Sequence, residues 1–257
     1  MATLPRTTWV VRAVPARFLP SRRSLATGFI LVALAAGAYV AARQTSTFAV
    51  GRIEVSGAPP AVRAQVHREL APLVGTSLLA LDGNALLRRV EALPSVVSAA
   101  YDRSFPHTLR LTIVPETPVA ILHRGADTWL LSGRGRVIER VPPRTQLLLP
   151  RIWVPTATPV SAGAFVLPEA VGPAARALAL VVRFPARIAT ASVARGELVF
   201  TLSTGLELRL GAPTDIRLKL AVARRALRVL PSGSVYLDVS VPVRLVAGTN
   251  PQVSSRG

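Results

Sequence analysis

Leu25-Ala26-Thr27-Gly28-Phe29-Ile30-Leu31-Val32-Ala33-Leu34-Ala35-Ala36-Gly37-Ala38-Tyr39-Val40-Ala41-Ala42 contains no charged side chain, and Arg22, Arg23 and Arg43 bound it. At about 1.5 Å rise per residue, a helix over this stretch covers roughly 27 Å, close to the hydrocarbon thickness of about 30 Å. A soluble helix of this length would carry a polar face, and none is present. The stretch therefore reads as a transmembrane helix over residues 24–42.

A cleavable signal peptide is the competing reading, because Ala36-Gly37-Ala38 fits a small-x-small cleavage pattern behind an arginine-bearing segment. The apolar run, however, exceeds the usual h-region and continues past that pattern to Ala42. A retained anchor is expected; a secreted binding protein released by cleavage is the alternative. Arg6, Arg12, Arg17, Arg22 and Arg23, with no acid among them, predict that a basic arm over residues 1–23 stays in the cytoplasm. Everything after Arg43 then lies outside, anchored to the bilayer by a single pass through the plasma membrane.

The chain beyond the anchor is long enough for one large or two small domains. With 50% hydrophobic residues it is a folding sequence. It has no cysteine, which excludes disulfides and thiolate metal sites. The formal charge of +18 raises a nucleic-acid reading. But the basic residues are scattered, Lys219 is the only lysine, and aromatic residues are too few to serve as stacking platforms. A basic surface facing anionic envelope components is expected, with no nucleic-acid partner.

Phe48 to Val55 looks extended, with a parity change that places an irregularity at Gly51. Val62, Val66, Leu70 and Leu73 form the stripe of a first helix, which Gly75 ends. Asp82 is the expected N-cap of a second, with Leu86, Val90 and Leu93 as its stripe and Pro94 as its stop. Alternation at Val97, Ala99, Tyr101 and at Leu109, Leu111, Ile113 predicts two strands joined by a hairpin at Ser104-Phe105-Pro106-His107. Strand, helix, helix, strand, strand gives a small sheet with helices on one face.

Ile53-Glu54-Val55-Ser56-Gly57, Leu93-Pro94-Ser95-Val96, Phe105-Pro106-His107-Thr108-Leu109 and Glu116-Thr117-Pro118-Val119-Ala120, in this order behind a lone apolar helix, resemble the POTRA module of the FtsQ/DivIB cell-division family. Farther on, Gly205-Leu206-Glu207-Leu208-Arg209-Leu210-Gly211, the basic helix after it and Tyr236-Leu237-Asp238 are similar to that family's C-terminal portion. The expected fold is α+β: a single N-terminal transmembrane helix, a POTRA domain (β-α-α-β-β, residues 48–117) and a C-terminal mixed β domain with packed helices (residues 118–245). Residues 246–257 are expected to be a disordered tail.

The resemblance continues: Trp129-Leu130-Leu131 and Arg136-Val137-Ile138 flank a glycine turn as a hairpin, and Leu147 to Pro150 is similar to the family's next short strand. Arg151 to Pro168 reads as a loop, and Pro168 to Val182 as a helix. Strands are expected around Ile188 to Val193, Leu198 to Leu202 and Leu206 to Leu210. From Pro213 a helix buries Ile216, Leu220, Ala223, Leu227 and Leu230 under a basic face. Val235 to Val243 alternates cleanly and, with Pro242 unable to donate a ladder bond, predicts an edge strand.

Catalytic constellations are absent from the sequence. His67, His107 and His123 have no metal-ligand spacing, no nucleophile elbow or phosphate loop occurs, and Glu197 and Glu207 lie on solvent-facing alternation. No enzyme activity, cofactor, metal or small-molecule substrate is expected. The resemblance implies a protein–protein scaffold of the septal divisome, with partners similar to FtsB and FtsL. The edge strand would accept a partner strand through Tyr236, Leu237, Asp238, Val239, Ser240, Val241 and Arg244, while Arg224 and Arg228 recruit acidic residues. A POTRA-bearing envelope transport or assembly protein is the other reading; no repeated module or barrel-like strand series supports it.

Overall fold

The computed structural model describes residues 22–44, 46–142, 145, 147–167, 169–181 and 184–249. The expected basic arm lies outside these residues up to position 21, as does the tail from position 250. Helix α1 (Arg22–Gln44) contains the apolar window Ser24–Ala41, and none of that window is buried against the rest of the protein. A helix apolar on all sides and unpacked by protein has lipid as its natural surrounding.

The first module runs β1 (Arg52–Ser56), α2 (Pro60–Leu70), α3 (Gly83–Glu91), β2 (Val96–Ser104) and β3 (Thr108–Pro115). The sheet order is β1-β3-β2, with β1 parallel and β2 antiparallel to β3. Pro60 at the first position starts α2, where its missing N–H costs nothing. Asp82 caps α3, accepting hydrogen bonds from Asn84 N (2.9 Å) and Ala85 N (3.1 Å). Val66, Leu70, Leu86 and Val90 from the helices meet Leu109, Leu111 and Ile113 of the central strand in one core. Gly57 turns the chain out of β1 with φ +79°, and a Cβ there would collide with the Ile113 carbonyl, so only glycine fits.

The second module holds β4 (Pro118–Arg124), β5 (Asp127–Ser132), β6 (Val137–Arg140), β7 (Arg151–Trp153), α4 (Val171–Ala179), β8 (Ile188–Ala194), β9 (Glu197–Leu202), β10 (Glu207–Gly211), α5 (Ile216–Ala226), β11 (Tyr236–Asp238) and β12 (Val246–Gly248). They form one sheet in the order β12-β11-β10-β9-β8-β7-β4-β5-β6. Leu131, Leu198, Phe200, Leu208 and Leu210 of the sheet pack with Leu178 of α4 and Leu220 and Ala223 of α5. Alternation along β9 and β10 buries Leu198, Phe200, Leu202, Leu208 and Leu210, matching the pattern read from the sequence.

Four expectations are corrected. Residues Arg151–Trp153, expected in a loop, form β7, pairing parallel with both β4 and β8; in so short a strand only Ile152 is buried, too little for visible periodicity. Helix α4 begins at Val171 rather than Pro168, which is outside the described residues, and ends at Ala179. The strand expected over Val235 to Val243 is regular only over Tyr236–Asp238. Ser240 N donates to Asp238 Oδ1 (2.8 Å) and Arg244 N to Val241 O (2.9 Å), two turn contacts around Pro242 that stop the ladder. Finally, Val246–Gly248, expected in a disordered tail, forms β12.

Candidate partner-binding edge

A twisted sheet has two edges, and unpaired N–H and C=O groups there can accept another strand. At the β6 edge the chain covers itself: Val137 N donates to Ala164 O (2.9 Å), Gly163 N donates to Val137 O (2.8 Å), and Arg136 bridges to Phe165. At the other edge β12 pairs antiparallel with β11 in the register Tyr236 with Gly248, Leu237 with Ala247 and Asp238 with Val246. Among the described residues no strand pairs with the outer side of β12. The expected edge strand β11 is thus an inner strand, flanked by β10 and β12, and the edge itself lies a few residues farther along.

The two sheet faces beside this edge differ in chemistry. On one face, Arg209 of β10 stands opposite Asp238 of β11, donates Nε to Glu207 Oε1 (3.0 Å) and lies 4.7 Å over the Tyr236 ring. Its hydrogen bonds to Glu207, with that carboxylate's charge and the charge of nearby Asp238, outweigh its partial burial and raise the guanidinium pKa beyond its already high ordinary value, so it stays charged. Glu197, Val199, Gly211 and Ser240 complete a shallow polar basin around it. On the other face, Val222, Ala226 and Val229 of α5 and its extension line an apolar groove of about 450 Å³ with Leu237, Leu245 and Ala247. Val229 and Leu245 are exposed there, Val229 at 81%, while exposed Val246, paired with Asp238, lies on the polar face.

The residues expected to contact a partner fall into three groups. Leu237 and Val239 are buried in the module core, so only their backbone is available to a partner; Val239 N already donates to Arg209 O (2.9 Å). Tyr236, also buried, and half-buried Asp238 and Ser240 line the polar face with Arg209. Val241 and Arg244 are exposed in the turn before β12, Arg224 is exposed on α5, and Arg228 is exposed in the turn just after it. Buried Lys219 extends instead under the helix, where Nζ donates to Ala212 O (2.7 Å). The apolar side chains of Leu245-Val246-Ala247 and Val229 belong to this surface too; their one sequence signal is an apolar tetrapeptide ending in Gly248.

Among the described residues no three His, Asp or Glu side chains converge as a metal site. The edge offers backbone hydrogen-bonding groups, an apolar groove and scattered guanidinium groups. Such a surface can hold a polypeptide strand.

Comparison with known proteins agrees with this architecture. Residues 48–114 match the family model described as POTRA domain, FtsQ-type. The cell division protein FtsQ of Streptomyces venezuelae is 26% identical over 231 residues, covering 87% of this chain and 83% of that protein. FtsQ of Mycolicibacterium smegmatis is 32% identical, and FtsQ of Mycobacterium leprae 34%, each over 77 residues, 30% of this chain and 23% of the relative. With an FtsQ-type POTRA module behind an apolar N-terminal helix and a β-rich second module, the chain is similar to the cell-division protein FtsQ along most of its length.

Proposed function

We propose that this protein is a non-enzymatic bitopic scaffold of the bacterial divisome, with its N-terminus in the cytoplasm and both modules outside, at the division septum. It links early and late septal proteins, and its partners resemble FtsB and FtsL. The observation that carries this reading is the open β12 edge beside an apolar groove, at the end of the sheet opposite the self-covered β6 edge. A partner segment adds a strand outside β12, or replaces β12 against β11; main-chain bonds supply affinity and alternate side chains supply specificity. An adjoining apolar helix of the partner fills the groove under α5. Exposed Arg224, Arg228 and Arg244 attract its acidic residues, which speeds encounter more than it adds affinity.

The test is co-purification from native membranes, comparing the full chain with one ending before Val235. Loss of an FtsB-like coiled-coil partner, with the remaining module still folded, supports strand addition. Unchanged capture moves the interface to the POTRA module or the membrane helix. Absence of division proteins from both samples overturns the divisome reading.

A further inference from the structure

The end of the first module nearest the membrane is fixed by hydrogen bonds to the chain leaving α1. Strands β1 and β3 run parallel from Arg52 and Thr108, and β2 runs back to Ser104, so the 105–107 turn closes one end of the sheet. That same end is tied to the connector. His107 O accepts from Gly51 N (2.8 Å) and Arg52 N (3.1 Å), and His107 Nδ1 lies 3.1 Å from Ala49 O. The Phe48 and Phe105 rings meet edge to face with centroids 5.6 Å apart.

Chain length then sets the height of this turn above the bilayer. From Ala41, the last residue of the apolar window, the end of α1, the short link to Ser46 and the 3-10 turn Ser46–Phe48 place Phe48 at most about 16 Å beyond the window. The interfacial layer on each side of the hydrocarbon core is roughly 5–8 Å thick. Phe48, and with it the hairpin tip bonded to its neighbours, therefore lies at or just above the headgroups, and a tilt of α1 lowers it into them. The tip suits that layer: Ser104-Phe105-Pro106-His107 has no acid, Phe105 is 51% exposed, and the Arg52 side chain is exposed beside it. An aromatic ring with a solvent-facing edge and a neighbouring guanidinium is the chemistry of a membrane–water interface.

We propose that the β2–β3 hairpin tip is a lipid-contact site, in which Phe105 seats in the headgroup layer and holds the sheet of the first module against the bilayer. The inference rests on α1 spanning the membrane.

The cysteine-free chain permits a direct test. A single Ser104→Cys substitution carries an NBD fluorophore in the full-length protein, reconstituted into phosphatidylglycerol/phosphatidylethanolamine vesicles containing headgroup-nitroxide lipid. A Val243→Cys label, on a residue 95% exposed in the second module, reports the background. The expected result is strong quenching at position 104, little at 243, and a loss of quenching at 104 when Phe105→Ser is added. Equal quenching at 104 and 243 overturns the contact, and quenching indifferent to Phe105→Ser overturns the role of that ring. Failure of the chain to float with vesicles overturns the membrane span itself, and the inference with it.

Discussion

The Nη1 atom of Arg136 lies 2.9 Å from the carbonyl oxygen of Val96, joining the second module to the first strand residue after α3. The same guanidinium donates Nη2 to Ala92 O (3.4 Å) at the end of α3 and Nε to Gly163 O (3.0 Å) in the loop that covers β6. A cation at a helix C-terminus also meets the negative end of the peptide dipoles. Nearby, Arg134 forms an ion pair with buried Glu116 at 3.2 Å. Arg134 sits within the β5–β6 glycine turn and Arg136 directly after it, so one hairpin clamps the junction between modules.

Arg136→Ala should therefore loosen the junction more than either module. A charge-assisted hydrogen bond contributes about 1.5–3 kcal/mol, and here the part-buried bonds to Val96 O and Gly163 O carry more of it than the exposed one to Ala92 O. Thermal unfolding should split from one transition toward two, and limited proteolysis should cut near Pro115–Pro118. Arg136→Lys should rescue little, because a single ammonium cannot reach three carbonyls in a fixed fork. An unchanged single transition in Arg136→Ala would remove the clamp from the account.

His123 of β4 stacks on Trp153 of β7, with ring centroids 4.4 Å apart and planes 23° apart. Burial, and then the charge of Arg151, hold its pKa below the ordinary histidine value. The neutral ring is the folded form, so its contribution is present above the ordinary value and lost as pH falls through the lowered folded one. Between about pH 7 and about pH 5 the native protein should lose more Tm than His123→Phe, which keeps a ring on Trp153 and cannot take up a proton. Parallel Tm curves for the two proteins would show that His123 does not titrate with unfolding.

Asp82→Ala should destabilise the first module by about 1 kcal/mol, because two α3 amides lose their acceptor. Asp82→Asn should recover most of it. Denaturant titration of the two modules together reads both; equal stability of Asp82→Ala and native protein would contradict the cap.

The parts legible in the sequence were those with several turns or alternations to repeat. The apolar stripe of α2, the Asp82 cap and the alternating leucines of β9 and β10 each repeat a local preference that packing then reinforces. The three-residue strands could not be read this way. Arg151–Trp153 and Val246–Gly248 are strands because neighbours from distant positions, Ile121 to His123 and Tyr236 to Asp238, offer them ladder partners. Val235 to Val243 misled in the opposite sense: its alternation is real, but Asp238 and Pro242 divert the backbone into turns. Among the described residues the open edge consequently belongs to β12, and the groove beside it depends on where α5 and Leu245 meet in space.

The central claim is that a division partner pairs with this edge. The most direct measurement is amide hydrogen exchange on the full-length protein in detergent or nanodiscs, with and without its purified FtsB-like partner. Strand addition predicts new protection at Val246–Gly248 and Tyr236–Val239, with little change across β1 to β3. Protection confined to the first module, with the β12 amides exchanging as fast as in the free protein, would contradict it.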